Sequence, residues 1–279
     1  MSDSREVENK LKTHNDLRDI VNAMKAFSGL NIKKTAESLD SIRQYEEGIK
    51  DAFGNLVLYY PETGAVLKSG TGRILVIFGS DLGLCGSYND RLADSIAKVK
   101  DSHDDIFIIG RMLREKLDAM NIRYIDSLES VATVEGIRTA MVDSFSKIAK
   151  LYSKSEATDL VFIFSCLQEK TETPEIIFEK ILPPGTESYS EAFRERPMLY
   201  LAPDFIFSKL LGEFLYISLY RCYIESIRAE NWYRFKSMER AMENIGTKIK
   251  DLTALYRYSR QEEITQEIIE IIQSHSLAK

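Results

Sequence analysis

The placement of proline is the feature that most constrains this fold. All six prolines lie between Pro61 and Pro203, and proline cannot continue a helix because it lacks an amide hydrogen and clashes with the preceding turn. Long helices are therefore possible only at the two ends. We predict an N-terminal helix in residues 1–60, a central domain in residues 61–203 and a C-terminal helix in residues 204–279.

Apolar residues in both terminal segments recur at steps of three and four, which places them on one face of a helix. The first stripe supports a helix from Ser4 to Leu56, about 80 Å long at a rise of 1.5 Å per residue. It contains Val7, Leu11, His14, Leu17, Val21, Met24, Ile32, Leu39, Ile42, Ile49 and Phe53. The second includes Leu211, Cys222, Trp232, Met238, Ile245, Leu252, Leu255, Tyr258, Ile264, Ile268 and Ile271. We expect the helices to form a long antiparallel coiled coil; two separate bundles are the alternative.

The central segment alternates short apolar runs with helical spacing. Strand candidates are 73–79, 105–110, 122–126, 159–166 and 174–182, and helix candidates are 89–100, 111–120 and 133–152. This alternation predicts an α/β fold, a Rossmann-like domain with a mostly parallel sheet covered on both faces. Acidic pairs such as Glu46 and Glu47 are interpreted as solvated helix faces.

The segment "FGSDLGLCGSYND" follows the first strand candidate and carries Gly79, Gly83 and Gly86. A phosphate-binding P-loop needs a lysine and a hydroxyl residue after its last glycine, whereas Ser87 and Tyr88 stand here. The glycine spacing also differs from that of the dinucleotide-binding fingerprint. We interpret these glycines as structural, allowing a tight turn and a close approach of backbone; phosphate binding is the alternative.

The composition excludes several classes of protein. A net charge of −6 without a basic cluster argues against nucleic acid as a partner. No apolar run is long enough to span a membrane, and the N-terminal sequence lacks the pattern of a signal peptide, so we expect a cytoplasmic protein. Cys85, Cys166 and Cys222 are too far apart for a disulfide framework or a zinc site. We predict free thiols, no metal and no cofactor.

Three segments resemble the gamma subunit of the rotary F-type ATP synthases, in the order in which that family has them. They are "GSDLGLCGSYN" after the first strand, "ENWYRFKSMERAMENI" with Glu230 and Arg234, and the tail "YRYSRQEEITQEIIEI". Weaker support comes from "IVNAM" and "IIGR". Together these segments cover both terminal helices and the central domain.

The resemblance implies a rotor subunit without catalytic activity, which transmits torque in ATP synthesis or hydrolysis coupled to ion transport. Its expected partners are the alpha, beta and epsilon subunits and the c ring, so that it would lie on the cytoplasmic face of the membrane and touch it only indirectly. The positions that match the family's beta-subunit contacts are Arg260, Gln261 and Thr265 in the tail and Met24 and Lys25 in the first helix.

Departures from the family pattern point to a divergent prokaryotic member, with an alternative or sodium-translocating complex left open. Lys25 stands where the family usually has an acid, and Ala202 replaces an acid before Pro203. Two other interpretations of the chain remain: a coiled-coil adaptor or chaperone, and a nucleotide-binding α/β enzyme that uses the glycine loop.

Overall fold

A computed structural model describes residues 2–66, 72–101, 104–155, 157–168, 173–184 and 197–277. Helix α1 (Ser2–Tyr59) leads through a 3₁₀ turn (Pro61–Val66) into the central segment, and helix α5 (Pro203–Leu277) ends the chain. α5 begins at Pro203 because proline is tolerated in the first helical turn, where its missing amide would have no partner. Both predicted terminal helices are confirmed, and α1 extends slightly beyond the predicted Ser4–Leu56 at each end.

The central segment forms a five-stranded sheet in the order β3-β2-β1-β4-β5. Its strands are β1 (Arg73–Phe78), β2 (Asp105–Ile109), β3 (Asp126–Leu128), β4 (Asp159–Leu167) and β5 (Pro174–Leu182). The helices between them are α2 (Tyr88–Val99), α3 (Arg111–Ala119) and α4 (Val134–Lys154). β1 to β4 pair in parallel, and β5 pairs antiparallel with β4 at one edge. The predicted α/β class with a mostly parallel sheet is confirmed.

Both faces of the sheet are buried, which is why β1 is apolar at successive positions. Ile74, Val76 and Phe78 face a core shared with α1, α4 and α5. Leu75 and Ile77 face a second core, formed with α2 and α3. The helices therefore cover the sheet from two sides.

The chain divides into two compact units, and α1 and α5 contribute to both. The central unit comprises Gly29–Arg234, and the terminal unit comprises Met1–Ser28 and Phe235–Lys279. The three-segment division proposed from sequence stays a prediction.

Within the central unit, contacts between α1 and α5 run in opposite sequence directions. Asn31 bonds to Asn231, and Arg43 pairs with Glu225. Further along α1, the ring of Phe53 packs edge-on against Phe207, with ring centroids 5.3 Å apart. The two helices are therefore antiparallel there, in agreement with the coiled-coil prediction.

Within the terminal unit the pairing is also antiparallel. Lys25 pairs with Glu239 at 3.0 Å, and Ser4, close to the beginning of α1, hydrogen-bonds Glu263. α5 continues beyond Glu263 as a helix whose described side chains, residues 264–273, are exposed.

The predicted apolar seam is wrong in part. Several of its residues are more than 40% exposed: Leu17, Leu255, Tyr258, Ile264, Ile268 and Ile271. In this part of α5 the buried position is instead Ser259, only 8% exposed. From Ile264 onward the described side chains of α5 are exposed, so the buried seam does not extend along this part of the helix.

The strand predicted at 122–126 is also misplaced, because β3 is confined to Asp126–Leu128. Ile122 is buried and Tyr124 packs beside it against the second core, so these apolar residues anchor a connection. At the open edge, the Ser127 amide donates to the Asp126 carboxylate. No helix among the described residues combines the length and apolar character needed to cross a membrane.

Candidate functional site

The tail residues that carry the family resemblance lie on the exposed surface of α5 in the terminal unit. Arg260 donates from Nη1 to Glu263 at 3.2 Å, one turn further along the helix. The Arg260 side chain is 54% exposed and that of Glu263 is 17% exposed. Partial desolvation raises the pKa of Glu263, but hydrogen bonds from Arg260 and Ser4 outweigh it and lower the pKa below its ordinary value. Arg260 therefore presents its guanidinium to solvent, and its bond to Glu263 is only partly shielded from water.

Gln261 and Thr265 lie one turn apart and line an open groove on α5. Tyr258, Glu262 and Ile269 line the same groove. The Thr265 hydroxyl donates to the Gln261 carbonyl oxygen at 2.8 Å. The Gln261 side chain is exposed. The groove thus presents an amide group beside aromatic and aliphatic surface.

Met24 and Lys25, on α1, are half-buried. The Lys25 ammonium pairs with Glu239 at 3.0 Å and stands 4.9 Å from the centre of the Phe235 ring. Hydrogen bonds from Lys25 and Lys236 lower the pKa of Glu239. Lys25 is therefore bonded to α5 of its own chain, so any contact with another molecule would compete with this pair.

The three loop glycines have different surroundings in the central unit. A Cβ on Gly79 would lie 2.3 Å from Cβ of Leu113, a fully buried residue of α3. Gly86 has φ +54°, in the left-handed region. A Cβ on Gly83 would have no heavy atom within 4 Å. The close approach at Gly79 requires a residue without a side chain, and the left-handed backbone at Gly86 favours one.

The amides at the start of the loop bond to other parts of the protein. The Gly79 amide donates to the Ile109 carbonyl at 2.7 Å, and the Ser80 amide donates to Oδ1 of Asn89 at 3.1 Å. Nδ2 of Asn89 in turn donates to the Ser80 hydroxyl. A phosphate-binding loop needs such amides free to point at the ligand, and Gly79 and Ser80 do not provide them.

Arg234, on α5, connects this loop to the long helices. Its guanidinium donates to the Gly83 carbonyl at 3.4 Å and pairs with Glu230, one turn earlier on α5. It also donates to Asn231, whose side-chain oxygen accepts a bond from Asn31 of α1. Burial raises the pKa of Glu230 to about 7, against the opposing effect of Arg234. Glu230 and Arg234 belong to one of the segments that carry the family resemblance, and they join α5 to the glycine loop.

A second group of buried charges was missed at the level of sequence. Glu46, interpreted there as a solvated acid, has only 5% of its side chain exposed, and Arg221 only 9%. Arg221 donates from Nε to Glu46 at 2.5 Å and from Nη2 to both oxygens of Glu179 at 2.7 and 2.8 Å. The solvated-face interpretation of Glu46 is therefore wrong. The partner, Arg221, lies 175 positions away, so local hydropathy could not identify it.

A third group lies nearby on α5. Glu225 is buried and pairs with Arg43 of α1 at 2.6 Å. The Cys166 thiol on β4 donates to the same carboxylate at 3.4 Å. Burial and the Glu225 charge raise the pKa of Cys166 to about 12, so the thiol stays protonated. The cysteines are free, and among the described residues no cluster of histidine, cysteine, aspartate and glutamate is suited to a metal ion.

Comparison with known proteins gives matches along almost the whole chain. The sequence model of a family described as ATP synthase matches residues 3–276. The ATP synthase gamma chain of Fusobacterium nucleatum is 26% identical over 283 residues, covering 98% of each chain. The ATP synthase gamma chain of Persephonella marina is 27% identical and covers 96% of each.

Solved structures share the fold at low sequence identity. A chain of the Euglena gracilis mitochondrial ATP synthase, solved as the OSCP/F1/c-ring assembly, matches with a TM-score of 0.68 and 13% identity. The match covers 98% of this chain and 93% of that one. A chain from the rotor of the same enzyme gives a TM-score of 0.66 at 12% identity, covering 94% and 98%.

Proposed function

Because the chain belongs to the ATP synthase gamma-chain family, we propose that it is the central-stalk rotor subunit of an F-type ATP synthase. It transmits torque between a membrane c ring and a catalytic ring of alpha and beta subunits, and it binds the epsilon subunit. Synthesis and hydrolysis of ATP take place on the beta subunits, so this chain is not itself an enzyme. Its place is peripheral, at the cytoplasmic face of the cell membrane, with the c ring between it and the lipid.

The observation that carries this proposal is a family match from residue 3 to residue 276 on a chain with two long antiparallel helices. The match includes both helices and the sheet, so it covers every part that a rotor needs. An adaptor with an unrelated coiled coil would share the helices but not the glycine loop, the sheet and the tail together.

The mechanism of torque transmission depends on the asymmetry of the shaft, whose faces differ from one another. Three chemically identical beta subunits around one shaft meet different faces of it. A contact that is stronger in one beta conformation shifts the population of that conformation by the difference in binding free energy. Rotation by a third of a turn presents each face to the next subunit. Each beta subunit then takes the state that its neighbour had.

In this mechanism, Arg260, Gln261 and Thr265 contact the beta subunits during part of each turn. Arg260 is suited to transient contact because an ion pair with an exposed partner on the same helix contributes little to stability. A carbonyl or carboxylate of a beta subunit can therefore replace Glu263 at small cost. Met24 and Lys25 act from α1, where acidic loops of beta would compete with Glu239 for the Lys25 ammonium.

The glycine loop has a structural role in this proposal, at Gly79, Gly83 and Gly86. Gly79 permits the close packing of α3, Gly86 permits the turn, and the Gly83 carbonyl accepts the Arg234 bond that ties α5 to the loop. The alternative of a nucleotide-binding enzyme is disfavoured, since the Gly79 and Ser80 amides are already bonded. No cofactor is proposed.

Reconstitution tests the proposal. The purified chain is mixed with the alpha and beta subunits of its own organism, and stoichiometry and ATPase activity are measured. We expect one copy per three alpha–beta pairs and ATPase activity that depends on the chain. Free chain that does not associate, or binds in other proportions, would favour the adaptor interpretation.

The role of the tail is tested in the same assembly. Arg260→Ala combined with Gln261→Ala should lower turnover more than it lowers assembly, because the contacts act during rotation. Lys250→Ala with Asp251→Ala is the matched control, another adjacent exposed pair on α5. Equal turnover in the two double variants would refute the assignment of Arg260 and Gln261 while leaving the rotor function standing.

A further inference from the structure

One arginine connects three elements of the central unit. Arg221 of α5 binds Glu46 of α1 through Nε and Nη2, and it binds both oxygens of Glu179 on β5 through Nη2. Its guanidinium carbon lies 5.4 Å from the centre of the Phe164 ring on β4. The two helices and the two outermost strands on this side of the sheet therefore meet at a single side chain.

The carboxylate of Glu46 is satisfied by further donors. The Ser218 hydroxyl, one turn before Arg221 on α5, donates to it at 2.8 Å, and the Lys50 ammonium lies 3.7 Å away. The positive charges of Arg221 and Lys50 balance the negative charges of Glu46 and Glu179. The cluster is thus a complete ionic network, and any relative movement of α1, α5 and β5 would break bonds within it.

Much of the rest of this interface is apolar, although Glu225 of α5 also pairs with Arg43 of α1 and accepts a bond from Cys166 of β4. Phe53, Leu56 and Ile49 of α1, together with Phe214 and Leu215 of α5, are buried in the same core. Apolar burial is non-directional, so it resists separation of the helices from the sheet more than it resists small twisting motions. A bidentate guanidinium–carboxylate pair has a fixed geometry. Arg221, which binds both α1 and β5, is therefore expected to supply a large part of the resistance to twist.

We propose that Arg221, held between Glu46 and Glu179, is a positioning residue that couples the helix pair to the sheet against torsion. This inference rests on the rotor function proposed above. Torque that enters at the sheet reaches α1 and α5 through the ionic network as well as through packing. Loss of the network leaves a rotor that assembles and turns but twists more under the same load.

A single-molecule measurement tests this in the complex of the chain with its alpha and beta partners. A bead is attached through Val142→Cys, a position on α4 that is 68% exposed, and the catalytic ring is stalled without nucleotide. The variance of the bead angle gives the torsional stiffness. For Arg221→Lys, which keeps the charge but loses the fork, we expect stiffness to fall by about twofold, with assembly retained.

A second variant, at Glu179, and a control, at Lys34 and Glu135, complete the stiffness measurement. Glu179→Ala removes only the bonds to the strand, at a side chain that is 28% exposed, and should give intermediate stiffness even if Arg221→Lys fails to assemble. Lys34→Gln with Glu135→Gln breaks an exposed ion pair between α1 and α4 and should leave stiffness unchanged.

Two outcomes would overturn the inference: wild-type stiffness in each Arg221 or Glu179 variant that assembles, or equal softening in the Lys34 control. Failure of the unaltered chain to assemble or rotate would instead count against the rotor function itself.

Discussion

Adding one methyl group at Gly79 should disrupt the packing of α3 on the sheet. An alanine Cβ there would lie 2.3 Å from Cβ and 2.8 Å from Cδ2 of Leu113. Carbon atoms pack at about 3.5–4.0 Å, so the two residues must separate by about 1.2–1.7 Å. Cβ of Leu113 is fixed to the helix backbone and cannot rotate away. We therefore expect Gly79→Ala to lower the free energy of unfolding by about 3 kcal/mol, the upper end of the range for overpacked cores.

The same geometry predicts which second substitution restores stability. Leu113→Ala removes the overlap with Cδ2 but retains Cβ, so the closest overlap persists and its coupling energy with Gly79→Ala should be small. Leu113→Gly removes the overlapping atom, so it should show a favourable coupling energy with Gly79→Ala. Urea unfolding of the three single variants, the two double variants and the wild type, analysed as double-mutant cycles, measures both couplings.

Gly83→Ala is the matched control, because a Cβ there meets nothing within 4 Å. We expect a change of at most about 0.5 kcal/mol, as for ordinary surface substitutions. A Gly79→Ala protein as stable as Gly83→Ala, or a rescue by Leu113→Ala as large as that by Leu113→Gly, would refute the steric explanation of this glycine.

Three further results are expected. Because burial raises the pKa of Glu230 from 4.5 to about 7, the folded protein binds this proton more tightly than the unfolded chain. Wild-type stability should therefore fall relative to Glu230→Gln as pH rises from 4.5 to 7, by at most about 3 kcal/mol; a difference in urea unfolding that does not vary with pH would contradict this. Phe53→Ala should lower the free energy of unfolding by about 3–5 kcal/mol, since this fully buried ring packs edge-on against Phe207 and Phe214; a loss below 1 kcal/mol in the same assay would show that the pocket collapses around the gap. Cys166, with a pKa of about 12, should react with a disulfide reagent at pH 8 at least about tenfold more slowly in the native protein than in urea, and equal rates would argue against its burial and its bond to a carboxylate.

The sequence predicted the helices and strands that depend only on neighbouring residues in the chain. The confinement of proline to the middle of the chain predicted α1 and α5, and unbroken apolar runs such as Ile74 to Phe78 predicted buried strands. Both signals depend on a few neighbouring residues, which is why they could be interpreted without knowledge of the fold.

Features that depend on distant partners were missed. The sequence around Glu46 is typical of a solvated acid, whereas in the structure α5 places Arg221 beside it and both side chains are buried. The apolar pattern from Ile122 suggested a strand, although tertiary packing uses Ile122 as an anchor and starts β3 at Asp126. The extent of the helical seam depended on how far α1 reaches along α5, which periodicity alone cannot determine.

The segment of α5 after Glu263 has a practical consequence for handling the protein. Ile264, Ile268 and Ile271 are 45–66% exposed and lie on one side of the helix, at the spacing of an amphipathic stripe. In a preparation of the lone polypeptide, such stripes from separate molecules can pair with one another. Purified stock should consequently become polydisperse as it is concentrated, and co-expression with the ring subunits is the better route to a well-behaved sample.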